Sequence, residues 1–124
     1  MSTDPLITRV AAVRVFVANF DKALRFYGDT LGLPLSGKTS ESAVFQPKDI
    51  DFIVERADPS DPDGAEMISR FTALSFEVGD CLAVVGVLTG KGVQFLGPAQ
   101  KQAWGGTLAH FLDPDGNVLT LVEY

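Results

Sequence analysis

Val17-Ala18-Asn19-Phe20-Asp21-Lys22-Ala23-Leu24-Arg25-Phe26-Tyr27-Gly28-Asp29-Thr30-Leu31-Gly32-Leu33 is the stretch on which the fold turns. Phe20, Ala23, Leu24, Tyr27 and Leu31 recur at helical spacing, which gives a helix one apolar stripe to bury. Asn19 stands where a side-chain oxygen caps the first turn, and Gly32 where a helix stops. Just upstream, Val13, Val15 and Val17 alternate with Ala12, Arg14 and Phe16, the period of a strand.

Outward from this strand and helix, three short strands are expected around Leu35 to Lys38, Ser42 to Gln46 and Ile50 to Glu55. Pro47-Lys48-Asp49 supplies the turn between the last two. The polar stretch from Arg56 to Arg70 is broken by Pro59, Pro62 and Gly64 and reads as a connection. Then the pattern returns. Ala73 to Val78 alternates, with Leu74, Phe76 and Val78 on one face. Asp80 is placed as a second cap, and Cys81, Val84, Val85 and Leu88 form a helical stripe that Gly90 and Gly92 end. Val93 to Leu96, Thr107 to Leu112 and Val118 to Glu123 complete three more strands. Ile50 to Glu55 matches Val118 to Glu123 in the closing strands, and the second half carries an insertion around Gly97 to Gly106.

A repeat of this kind means that neither unit buries its own apolar face alone. The expected fold is α+β: two tandem βαβββ modules forming curved, mostly antiparallel sheets around a concave cavity. Residues 1–124 read as a single domain, with module one at about 10–55, a connection at 56–71 and module two at about 72–124.

Composition narrows the function classes. Hydrophobic residues make up 46% of the chain and charged residues 21%, a globular balance. No run approaches the ~18 apolar residues of a membrane span. Met1-Ser2-Thr3-Asp4-Pro5 lacks the basic and apolar regions of a secretory signal, so the expected location is cytoplasmic. A formal charge of −6 argues against nucleic acid and anionic membrane surfaces as partners. Cys81 is the single cysteine, so no internal disulfide forms. On an apolar stripe it reads as a buried thiol.

Phe26-Tyr27 with Leu31-Gly32-Leu33, and Asp113-Pro114-Asp115-Gly116-Asn117 before an apolar strand, resemble the first-helix signature and the closing hairpin of the vicinal oxygen chelate superfamily. This is the glyoxalase, bleomycin resistance protein and extradiol dioxygenase type. The resemblance runs from about Val10 to Tyr124. It implies a homodimer and a small-molecule partner. It also implies a divalent metal in the enzymes of the family, held by His, Glu, Gln or Asp. Carried onto this chain, the ligand positions fall on Ala12, Phe52, Ala73 and Thr120. Alanine and phenylalanine cannot ligate and a lone threonine hydroxyl is a poor ligand, so neither a metal nor another cofactor is expected.

Strand parity suggests what lines the cavity instead. Arg14, Phe16, Ser75, Glu77, Phe52, Val54, Val118, Thr120 and Val122 are expected on one side, and Val13, Val15, Leu74, Phe76, Leu119 and Leu121 on the helix side. Arg14 and Glu77 either pair across the pseudo-twofold or hold ligand groups. A three-residue loop with Gly116 in the left-handed conformation puts His110 opposite Thr120 and into the cavity, whereas a four-residue loop puts it opposite Leu119. Trp104, among glycines in the insertion, either stacks on a flat ligand or anchors its loop.

The expected function is a metal-independent, small-molecule binding protein like the drug-sequestering members. Phe16, Phe52, Val54 and Trp104 would bury the ligand, and Arg14, Glu77 and His110 would orient it. The alternative is a lyase, isomerase or dioxygenase-like enzyme with His110 and Glu77 as acid and base. A third is an interaction module whose cavity is filled.

Overall fold

A computed structural model describes residues 6–124; residues 1–5, read as lacking the features of a secretory signal, lie outside them. Strand β1 (Ala12–Val17) leads through Asn19 into α1 (Phe20–Arg25), and Asn19 accepts from the Lys22 N–H at 3.1 Å as expected of a cap. The helix then widens into a π-helical turn over Phe26–Thr30 and ends at Gly32, whose φ of +76° suits glycine. Strands β2 (Leu35–Lys38), β3 (Ser42–Phe45) and β4 (Asp51–Arg56) complete a sheet in the order β1-β4-β3-β2, with β1 and β4 parallel.

The connection holds a short helix, α2 (Pro62–Met67), with Pro62 in its first turn and Asp61 as cap. Module two repeats the plan. β5 (Phe71–Glu77) is followed by α3 (Cys81–Gly90), capped by Asp80 accepting from the Ala83 N–H at 3.1 Å. Then come β6 (Gln100–Lys101), β7 (Thr107–Leu112) and β8 (Val118–Glu123), in the order β5-β8-β7-β6 with β5 and β8 parallel. The strand expected at Val93 to Leu96 shrinks to one bridge, Phe95 to Phe111, and the edge pairing moves to Gln100–Lys101. Gly97-Pro98 accounts for the break, since proline offers no N–H to a ladder.

One buried cluster joins the modules. It takes Val15, Val17, Phe45, Phe52 and Val54 from the first sheet, Ala109, Phe111, Leu119 and Leu121 from the second, and Phe20, Ala23, Tyr27, Cys81 and Leu88 from the helical segments. Each sheet turns one face to this shared core and leaves the other free of α1 and α3, with the short α2 approaching β1 there through Met67 beside Arg14 and Phe16.

Register corrects the expected lining. Val13 stands opposite Phe52, and Val15 opposite Val54. Phe52, 1% exposed, meets the ring of Tyr27 at 5.0 Å and that of Phe76 at 5.6 Å. Phe52 and Val54 thus belong to the core side, and Asp51, Ile53 and Glu55 share the side away from α1 with Ala12, Arg14 and Phe16. In module two Glu77 stands opposite Val122 and Ser75 opposite Thr120. The equivalent of Thr120 is therefore Ile53, not Phe52. The closing strands align one residue away from the sequence match, and a slip of one exchanges the two faces of a strand.

Candidate functional site

The face of the first sheet that α1 does not cover carries Arg14, Phe16 and Glu55, with Met67 of α2 beside Arg14 and Phe16. The Arg14 guanidinium donates twice to the Glu55 carboxylate, at 2.8 and 2.9 Å, and lies 5.0 Å from the centre of the Phe16 ring. Glu55, rather than the expected Glu77, is the partner of Arg14. In parallel β1 and β4, Phe16 faces Glu55 across the ladder, so the arginine reaches its acid diagonally. The pairing holds the Glu55 carboxyl below the ordinary carboxylate range.

The corresponding face of the second sheet carries His110, Thr120, Ser75, Glu77 and Phe71. The closing hairpin has the three-residue form: Asp113 and Asn117 bond through their backbones at 3.0 Å, and Gly116 takes φ +86°. His110 accordingly stands opposite Thr120, and its Nδ1 lies 2.8 Å from the Thr120 hydroxyl. Ser75 lies beyond Thr120 in the same row, and the exposed Phe71 ring meets the imidazole at 6.0 Å. Glu77 shares this face but is separated from His110 by β8, about 10 Å at ordinary strand spacing. The two cannot exchange a proton directly; they can address only opposite ends of one bound molecule.

The donor set does not fit the family's metal. The positions are Ala12, Ile53, Ala73 and Thr120 once the register is corrected. Asp51 is the carboxylate facing Ala12. Among the described residues no three His, Cys, Asp or Glu side chains converge as metal ligands. Ala73 also adopts φ +59° at a bulge that shifts the pairing between Phe71 and Ser75. There the Thr72 hydroxyl donates to the Val118 carbonyl at 2.7 Å and accepts from the Leu74 N–H at 3.1 Å, mending the interrupted ladder.

Trp104 is 58% exposed; its ring covers Gly106 and lies 6.0 Å from that of Tyr124. Its contacts are those of a loop anchor, with much of the ring open to solvent. Cys81 is fully buried, and burial together with Glu123 raises its thiol pKa, which suppresses the thiolate. Glu55 is the partner of Arg14 that sequence reading missed. Its place on the Arg14 side follows only from the register.

A family model described as the Glyoxalase/Bleomycin resistance protein/Dioxygenase superfamily matches residues 9–121. The chain belongs to this superfamily. YraH of Bacillus subtilis (strain 168) is 30% identical over 93% of this chain and 98% of its own. A superfamily member from Sphaerobacter thermophilus DSM 20745 is 29% identical, with a TM-score of 0.78 over 97% of this chain and 100% of the other. TnmS3, an antibiotic binding protein from Streptomyces sp. CB03234, is 30% identical, with a TM-score of 0.75 over 97% and 98% of the two chains. Superfamily membership fixes the fold and leaves the chemistry to the site. Among the described residues no helix is long and apolar enough to cross a membrane.

Proposed function

We propose that this superfamily member binds a flat, amphipathic small molecule without metal, and sequesters it rather than transforming it. The observation that carries the reading is the residue set at the metal positions. Ala12, Ile53 and Ala73 have no donor atoms, while recognition groups survive beside them. Arg14 with Glu55 and Phe16 offers a planar charged group next to a ring. His110 with Thr120 and Phe71 offers a polar imidazole next to another. Phe71 is 61% exposed, and covering it by a ligand or a second copy of the chain removes apolar area from water. A homodimer placing the face that α1 and α3 leave uncovered against its equivalent in another copy would enclose such a ligand. The likeness to an antibiotic binding protein supports the same class.

The test is a thermal-shift and calorimetric screen of aromatic antibiotics with EDTA present, together with elemental analysis of protein purified without chelator. A binder at 100 times its Kd should add about 2.7 kcal/mol of stability, and His110→Ala should weaken it. Stoichiometric divalent metal in the purified protein would overturn the metal-independent reading.

A further inference from the structure

Between the core-side faces of the two sheets, the helices leave a cleft of about 560 Å³, a volume that suits a small molecule. Its walls are apolar: Val13 and Phe52 from the first sheet, Leu74 and Phe76 from β5, Val84 and Leu88 from α3. Lys48 and Asp49 also line it, from the turn before β4. It lies on the opposite side of each sheet from Arg14 and from His110, and is a separate site.

One polar feature enters it. Among the described residues β5 is an end strand of its sheet, paired with β8 alone. The Val78 N–H bonds the Val122 carbonyl at 2.9 Å, and Glu77 is the ladder partner of Val122. In a parallel ladder alternate residues bond the same neighbour, so Phe76 and Val78 address β8 while Ser75 and Glu77 turn their backbone groups outward. Both residues line the cleft. The Ser75 carbonyl and the Glu77 N–H thus stand side by side on a free edge, an acceptor and a donor in the arrangement that engages one residue of an added parallel strand.

We propose that the cleft is a second binding site, for a largely apolar small molecule carrying one lactam, whose cis amide presents its N–H and carbonyl on the same side. The ligand N–H donates to the Ser75 carbonyl, its carbonyl accepts from the Glu77 N–H, and its apolar parts fill the space toward Phe52 and Leu88. The occupant is a small molecule because the strand edge offers one donor and one acceptor, with mainly apolar side chains around them and the charged Lys48 and Asp49 only at the turn before β4.

A matched pair of probes tests this: the lactam 4-phenylpyrrolidin-2-one, and the corresponding lactone, a cyclic ester that replaces the N–H by an oxygen. Binding is followed by methyl NMR and calorimetry on the full chain. The expected result is saturable lactam binding that shifts the Leu74, Val84 and Leu88 methyls, and affinity for the lactone about tenfold lower. Val84→Trp fills the cleft and should abolish lactam binding; Leu88→Phe serves if that variant does not fold. Equal affinity for lactam and lactone would overturn the edge contact. Shifts confined to Val118 and Val122, on the helix-free face, would overturn the site. So would failure of both probes to bind at their solubility limits, or cleft methyls already covered by a second copy of the chain.

Discussion

The Tyr27 hydroxyl donates to the Asp113 carboxylate at 2.7 Å, joining the first module to the second across a separation of 86 residues. Asp113 also accepts from the Asn117 side chain and backbone N–H, each at 2.9 Å, and the Asn117 amide reaches on to the Phe16 carbonyl at 3.0 Å. The closing hairpin of module two is therefore bonded to both the helical segment and the first strand of module one. Asp113 and Asn117 are 4% and 0% exposed, so these bonds are shielded from water.

Tyr27→Phe should destabilise the chain by about 1.5–3 kcal/mol, the range for a hydrogen bond to a charged group, read as a lower urea midpoint with unchanged m-value. Burial, and then the Asp113 charge, push the Tyr27 pKa well up. A raised folded pKa gives stability that is full below the unfolded value near 10 and declines as pH rises toward the folded one. Wild type should lose stability above about pH 10 more steeply than Tyr27→Phe; parallel alkaline profiles would refute the assignment.

Arg14→Ala should return the Glu55 carboxyl toward its ordinary titration range, measured by carboxyl-carbon NMR. A depressed folded pKa gives stability that is present above the unfolded carboxylate value and lost as pH falls through the folded one. The variant should accordingly show a flatter acid limb. The pair is partly solvated, with the arginine side chain 55% exposed, so the effect at neutral pH should be small.

Ala73→Gly should raise stability. Its φ of +59° is a conformation that alanine adopts at a penalty of roughly 1 kcal/mol and glycine does not. The entropy of the unfolded glycine chain offsets part of the gain, so a thermal midpoint rise of a few degrees at most is expected, and a fall would indicate that the methyl packs.

Gly106→Ala should displace Trp104. A Cβ at that position meets the indole ring and the Glu123 carbonyl. Overpacking of this kind costs about 1–3 kcal/mol, and the fluorescence of the single tryptophan should shift to the red as the ring leaves Tyr124. An unchanged emission spectrum would show that the ring does not rest on Gly106.

The periodicities carried most of the fold. Asn19 and Asp80 were readable as caps because a short polar oxygen before an apolar helical stripe has few other uses. Gly116 made a three-residue hairpin readable beside a four-residue one, and the structure adopts the three-residue form that sets His110 opposite Thr120. Phe52 and Val54 were placed on the wrong face because a strand repeats every two residues, and similarity between Ile50–Glu55 and Val118–Glu123 does not determine which of two adjacent registers is formed. Glu55 and Val122 are the structural equivalents, and their side chains have nothing in common that a sequence match would find.

The sequence by itself determined two βαβββ units, the caps that start their helices, two loop lengths for the hairpin that carries His110, and the lack of donor atoms in the side chains of Ala12 and Ala73. These depend on local periodicity, capping and side-chain chemistry, which are properties of short segments. Only the tertiary structure decided that Arg14 meets Glu55, that Tyr27 and Asn117 tie the modules together through Asp113, and that the free edge of β5 borders an apolar cleft. Those relations depend on strand register and on how two sheets share one core, and they join residues far apart in the chain whose neighbours in sequence carry no record of the contact.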